Sequence, residues 1–556
     1  MKPLAISVLA LLLATGASPP KTPAYDVLIQ NGMIYDGSGG TPYRGDVGIS
    51  GDRIAYVGPH APGGAKSVVD AAGQAVAPGF INMLSHSRET LLYDGRAMSA
   101  IMQGVTLEVN SENSLAPLTP AMRQIRIDRQ GDVKVPISWT TLGGYLDAIE
   151  TSGTSVNLAS FVGAGVVRDY VIGSNDVDPS PAQLLRMRQL VHEAMQQGAL
   201  GVATMLIYIP ERYAETPELI ALASEAGKCG GLYTAHIRDE GATLIESIDE
   251  TATIGREAHV PVNIHHLKQS GPENWDKIDA AIAHIEAARA SGVQMTADMY
   301  LYPASGTGAN SMLPAWVQEG GLEATIARLK EPAIAKRAAA ELRITGNDPH
   351  NVLFSGFKND KLKPLAGKRL DEVARMRGTT PAQTVIDLIV EDGSRVNTTF
   401  FNMSEANVRR QIALPWVDFG ADAGAVAAEG VVLQNSIHPR TYGNFARLLG
   451  KYVREEHVIS LAEAVRKLTS FPASILQLKD RGMLKAGDFA DVVLFDPATI
   501  RDNATFEQPH QYATGVSNVW VNGVQVIKAG AHTGAKPGRA LRGPGWTGWP
   551  GGGACK

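Results

Sequence analysis

From about residue 150 onward the sequence repeats one plan, a helix pattern followed by a strand pattern. That alternation limits the fold more than any other feature. The stretch SPAQLLRMRQLVHEAMQQGALGVATMLIYIP shows the unit. Ser180 is a helix N-cap, Pro181 takes the first helical position, and Gln183 closes a capping box. Leu184, Met187, Val191 and Ala194 fall on one helical face, Gly198 ends the helix, and a strand runs from Val202 to Tyr208. Thr216-Pro217 starts the next helix, and LYTAHIRDE is the strand after it. ATLIESIDETATIGREA then gives way to VPVNIHHLKQS, and DKIDAAIAHIEAARASG to VQMTADMYLYP.

Alternation of this kind calls for parallel strands joined by crossover helices. Eight apolar runs end in polar residues: FINMLSH, TLEVNSE, ASFVGAG, VATMLIY, LYTAHI, VNIHHL, MTADMY and VDFGADA. They predict an α/β fold built on a (β/α)8 TIM-type barrel over residues 78–479. VLFSGF and TTFFNM compete for the last two strand places. Between about 304 and 380 the rhythm breaks, and LPAWVQEGGLEATIARLKEPAIAKRAAAELR predicts a helical insertion, either a cap over the site or a structural excursion. Residues 25–77 and 480–543 instead carry short strands with Asn-Gly, Gly-Ser-Gly-Gly and Gly-Asp turns. Each half alone leaves an apolar face open, so the two ends are expected to combine into one small β-sandwich.

A chain of 556 residues exceeds one small core, but a barrel with such appendages absorbs it. Charge is nearly balanced, 51 basic against 56 acidic residues with no long basic run, which argues against nucleic acid as a partner. Residues 1–17 read as a signal peptide: Lys2, an apolar run too short for a comfortable membrane span, then small residues Thr15-Gly16-Ala17. The expected location is periplasmic or secreted, with no membrane attachment after cleavage; an uncleaved tether is the competing reading. A homo-oligomer is compatible with the sequence. Only Cys229 and Cys555 occur, so stability is expected from core burial, with Cys229 of GKCGGLY a small buried thiol.

In a parallel barrel, catalytic side chains come from the C-terminal ends of the strands. That rule selects His86, Glu112, His236, His266 and Asp422. Histidine and carboxylate are zinc ligand types, and a free aspartate beside them can move protons. Singly, each is an ordinary loop residue; five at equivalent positions point to a metal-dependent hydrolase.

These residues sit in stretches that resemble the amidohydrolase superfamily, and within it the D-aminoacylase (N-acyl-D-amino-acid deacylase) family. The resemblance runs from about Tyr25 to Gly543 and includes YDVLIQNGMIYDGSG, QGVTLEVNSE, LIYIPERYAETPEL, YTAHIRDEG, IHHLKQSG, HPRTYGNFARLLGKYVREE and RGMLKAGDFADVVLFDP. It implies a barrel with a composite β-sandwich, a zinc site, and hydrolysis of the amide of an N-acyl-D-amino acid, a small-molecule substrate. Carried over by position, it implies metal ligands His236, His266 and Glu112, the last where many members carry cysteine. Asp422 of GADAGA matches the catalytic aspartate. His265 competes with His266, and its side chain is expected on the opposite face of the strand.

PGFINMLSHSRE departs from the family, because Leu84 replaces the first histidine of a His-X-His pair that holds a second zinc. One firmly bound zinc is therefore expected, with the second position short of a ligand. His86 is left as a fourth ligand, a hydrogen-bond partner of water or substrate, or a bystander. Arg238, Lys268, Tyr302, Arg440 and Tyr208 are candidates to bind substrate. For Arg238 and Arg440 a structural salt bridge with Asp239 or Glu240 competes, and for Tyr208 simple packing. Two alternatives remain: a hydrolase of D-residue dipeptides or of aromatic or cyclic amides, and a catalytically dead barrel that only binds.

Overall fold

The computed structural model describes residues 24–555; the expected signal peptide lies outside them. All eight predicted runs form the staves of one barrel. They are β1 (Phe80–Ser85), β2 (Val105–Asn110), β3 (Asn157–Ser160), β4 (Gly201–Met205), β5 (Leu232–His236), β6 (Val262–Ile264), β7 (Met295–Met299) and β8 (Val417–Phe419). Neighbours pair in parallel from β1 to β3 and from β4 to β8. Val162–Gly163, continuing β3, pairs with β4. The ring closes where Ser85 bridges Ala423 and the Asp422 amide donates to the Leu84 carbonyl at 2.9 Å. The crossover helices form as their caps dictate: Ser180 and Gln183 make both capping-box bonds at the start of helix Pro181–Gln196.

The barrel is lined unevenly. Ile81, Met83, Leu107, Val109, Ala159, Phe161 and Ala203 form an apolar cluster from β1 to β4, including the residue just past β3. In β5 to β8 the apolar residues Tyr233, Ala235, Val262, Ile264, Ala297, Met299, Val417 and Phe419 belong to the core shared with the helices. Alternation then turns Thr234, Asn263, Asp298 and Asp418 inward.

VLFSGF and TTFFNM are strands, but not of the barrel. Ser305–Gly308, Val352–Gly356 and Asn397–Phe400 make an antiparallel sheet with Asn397–Phe400 in the middle. With its helices this sheet surrounds a core of its own, including Phe354, Leu370, Leu388 and Phe400. The excursion between β7 and β8 thus continues past the expected limit near 380, because its central strand lies at 397–400.

The chain ends share a nine-stranded sheet in which Ala75–Pro78 pairs antiparallel with Val492–Phe495. Val492 and Leu494 face a core with Ile29, Val47 and Trp520, whereas Val493 and Phe495 face the barrel's core. Period-two alternation thus binds the sheet to the barrel.

The expectation for Cys229 needs correction. It is disulfide-bonded to Cys555, which the C-terminal segment carries to it past β3. On the way, Leu158 of β3 exchanges backbone hydrogen bonds with Arg539 and Leu541, at 2.9 and 2.6 Å. A pairing across 326 residues leaves no local spacing for a sequence reading to use. Among the described residues no helix is long and apolar enough to cross a membrane.

Candidate metal centre

Five side chains converge at the C-terminal mouth of the barrel. His86 follows β1 directly, and His236 ends β5. Glu112, His266 and Asp422 lie in the loops just past β2, β6 and β8. These last three hold left-handed backbones, with φ of 65°, 36° and 49°. Non-glycine residues rarely adopt that region, at a cost of roughly 1–3 kcal/mol each, so the surrounding fold must hold them there.

Glu112 is the hub. Its Oε1 lies 2.8 Å from His266 Nε2 and 3.1 Å from His236 Nδ1, while its Oε2 lies 3.5 Å from His86 Nε2. His86 Nε2 is also 2.7 Å from Asp422 Oδ1, and Asp422 Oδ2 accepts from Arg440 Nη2 at 2.8 Å. Burial opposes ionisation of Glu112, but hydrogen bonds from His236 and His266 outweigh it and hold the carboxyl well below its ordinary range. For Asp422 the same penalty is outweighed by Arg440 and then His86. Burial and the Lys268 ammonium oppose a charge on His266, yet Glu240 and Glu112 prevail and raise it to about 10. Burial and the nearby His266 push His236 the other way.

Two ligand groups result, Glu112–His236–His266 and His86–Glu112–Asp422, each with its donor atoms within 4.8 Å of one another. They share Glu112, one oxygen facing each group. Carboxylate oxygen and imidazole nitrogen are the donors zinc takes. His236 Nε2 and His86 Nδ1 are buried without a protein partner, so each of these imidazoles keeps one nitrogen free of internal hydrogen bonds. The residues present fit a zinc ion. Leu84 contributes no donor, and it packs so closely on Gly420 that a Cβ there would lie 2.6 Å from its own.

The two adjacent histidines part as expected: His266 turns to Glu112, while His265 Nδ1 meets Asp298 Oδ2 at 2.6 Å. Lys268 is buried beside the site, its Nζ on Glu240 and 2.8 Å from His266 Nδ1. Tyr208 packs against the His236 ring at 5.4 Å and hydrogen-bonds Thr307 of the insertion. Arg440 is close, but its partner is Asp422 rather than Asp239 or Glu240. Arg238 and Tyr302 are held by partners within the protein. Arg238 makes four hydrogen bonds, two to Glu250 and two to the carbonyls of Arg212 and Ala214, which spend its donors inside the protein. Tyr302 donates to Asp502 at 3.1 Å, under the Arg447 guanidinium.

Sequence reasoning missed Glu240 as a member of the site. Its Oε1 lies 2.9 Å from His266 Nδ1, so it braces the imidazole at the nitrogen that does not face Glu112. Its place four residues after His236 was the available signal. Tyr300 was also missed: its buried hydroxyl has no partner, and Arg440 stacks over its ring at 4.3 Å. The site opens into a cleft of about 1980 Å³ between barrel and insertion, with Tyr208, Glu240, Thr307, Arg395 and Asn402 among its walls.

The amidohydrolase family profile matches residues 67–527, spanning the barrel and both flanks of the terminal sheet. The chain belongs to the amidohydrolase family. Within that family it is 34% identical over 519 residues to a D-aminoacylase of Alcaligenes xylosoxydans xylosoxydans, covering 93% of this chain and 97% of the relative. An N-acyl-D-glutamate deacylase of the same organism is 32% identical, with 93% and 96% covered. Among solved structures, N-acyl-D-glutamate deacylase from Bordetella bronchiseptica, complexed with zinc and a phosphonate inhibitor, superposes with a TM-score of 0.78 at 27% identity. The superposition covers 93% of this chain and 99% of that one. This amidohydrolase is therefore a metal-dependent hydrolase of amide bonds.

Proposed function

We propose that the protein hydrolyses N-acyl-D-amino acids, with zinc held by Glu112, His236 and His266. The observation that carries this reading is the convergence of that ligand set with Asp422 around one carboxylate, Glu112. The deacylase relatives supply the substrate class. A zinc ion bound there would supply Lewis acidity at the scissile carbonyl and make water acidic enough to attack near neutral pH.

The chain's own groups do the rest. Asp422, kept ionised by Arg440 and His86, accepts the proton of the attacking water at Oδ1 and returns it to the departing amine. Arg440 fixes Oδ2, so the carboxylate cannot rotate its basic oxygen away. His86, the half-buried member of the set, holds Oδ1. Lys268 and Tyr208, beside His266 and His236, are the residues we assign to the substrate's carboxylate and flank. We also propose export: the signal-like residues 1–17 and a disulfide both fit an oxidising compartment.

The test is a hydrolysis assay of zinc-loaded protein on paired N-acetyl-D- and N-acetyl-L-amino acids. Release of D-amino acids well above their L-counterparts is expected. Equal rates, or activity only on D-residue dipeptides or cyclic amides, would replace the substrate class. No turnover of any amide with zinc bound would leave a binding protein.

A further inference from the structure

His266 poses a mechanical problem. β6 ends at Ile264, and His266 stands two residues beyond it with a φ of 36°. A β-strand extended regularly through this point would aim the side chain elsewhere. Something must fix the turned backbone if the imidazole is to reach Glu112.

Asp298, in the middle of β7, meets that need. It is fully buried. Its Oδ1 accepts the backbone N–H of His266 at 2.9 Å. Its Oδ2 accepts from Asn263 Nδ2 at 2.8 Å and lies 2.6 Å from His265 Nδ1. One carboxylate thus ties down the strand before the turn, the residue preceding the candidate ligand, and the backbone of that ligand. The two oxygens of one carboxyl thus serve three groups at once. We infer that Asp298 is a positioning residue, whose network with Asn263 and His265 sets His266 in ligand geometry; the inference rests on the zinc reading above.

The fold supplies a matched control. Asp418 is the register partner of Asp298 on β8 and is equally buried, but neither of its carboxylate oxygens has a hydrogen-bond partner in the protein. Replacing its carboxyl perturbs the same place in the barrel without touching His266.

The experiment is a zinc affinity measurement by chelator competition on purified wild type, Asp298→Asn, Asp418→Asn and His265→Gln. Asp298→Asn is expected to weaken zinc by about 10–100-fold, the usual penalty for losing a group that orients a ligand. Asp418→Asn should bind as wild type does. His265→Gln, which removes one of the three tethers, should weaken zinc by less. Cobalt(II) substituted for zinc should show a shifted visible absorption band in Asp298→Asn and an unchanged one in Asp418→Asn, a difference that general destabilisation does not produce. The inference is overturned if Asp298→Asn binds zinc as tightly as wild type, or if Asp418→Asn is weakened equally. Should Asp298→Asn not fold, His265→Gln decides: unchanged affinity and an unchanged cobalt spectrum sink the idea. A wild type that binds no zinc would instead sink the metal reading itself.

Discussion

The two sides of the barrel solve different problems. β1 to β4 are lined by Ile81, Met83, Leu107, Val109 and Ala203, which bury area and ask nothing of their neighbours. β5 to β8 turn Thr234, Asn263, Asp298 and Asp418 inward, groups that cost free energy to bury unless they are paired. Both histidine ligands rise from the polar side. The difference teaches that stability and site geometry are built from separate halves of one ring. The apolar half holds the barrel closed, and the polar half spends part of that stability on fixing imidazoles.

The largest expected effect that would test this division is chemical. Asp422→Asn should lower kcat by about 10²–10⁴-fold. Zinc content and melting temperature should stay near wild type, read by elemental analysis and thermal unfolding. A fall in stability of the same size would blur the two roles.

Next comes the apolar half. Leu107→Ala should cost about 2–5 kcal/mol in denaturant unfolding, through lost burial and a cavity. Its kcat/KM should remain that of wild type. A comparable loss of activity in this variant would show that the halves are coupled.

The smallest effect belongs to Asp418, whose carboxyl is raised well above 3.8 by burial and by the charge of Asp298, against Lys467. The native chain then keeps a proton that the unfolded chain has released, so native stability falls as pH rises above about 4. Asp418→Asn removes that loss. The variant should match wild type below about pH 4 and exceed it at neutral pH. A variant less stable than wild type at neutral pH would mean that Asp418 is paired and charged.

Much of this was legible before folding. All eight staves announced themselves, because apolar runs ending in polar residues at helix-sized intervals are a local pattern, and so is a barrel's strand order. The five mouth residues followed from position alone. What escaped depends on partners far away in sequence. VLFSGF and TTFFNM were correctly strand-like, but nothing local told them to pair with each other instead of joining the barrel. Arg238 finds Glu250 one helix later rather than the acids beside it. Cys229 and Cys555 read as bystanders, because their meeting depends on the path of the whole C-terminal segment. Asp298 looked like a strand residue, and only the turned backbone of His266 explains why a carboxylate is there.

The sheet that joins the chain ends sets a timetable for synthesis. Ala75–Pro78 emerges early, but its antiparallel partner Val492–Phe495 is made about four hundred residues later. At a ribosomal rate of about 5–20 residues per second, that apolar edge waits roughly 20–80 seconds for its mate. Until then it is a bare strand edge open to wrong pairing, so the nascent chain must be kept apart from its neighbours for most of its own manufacture.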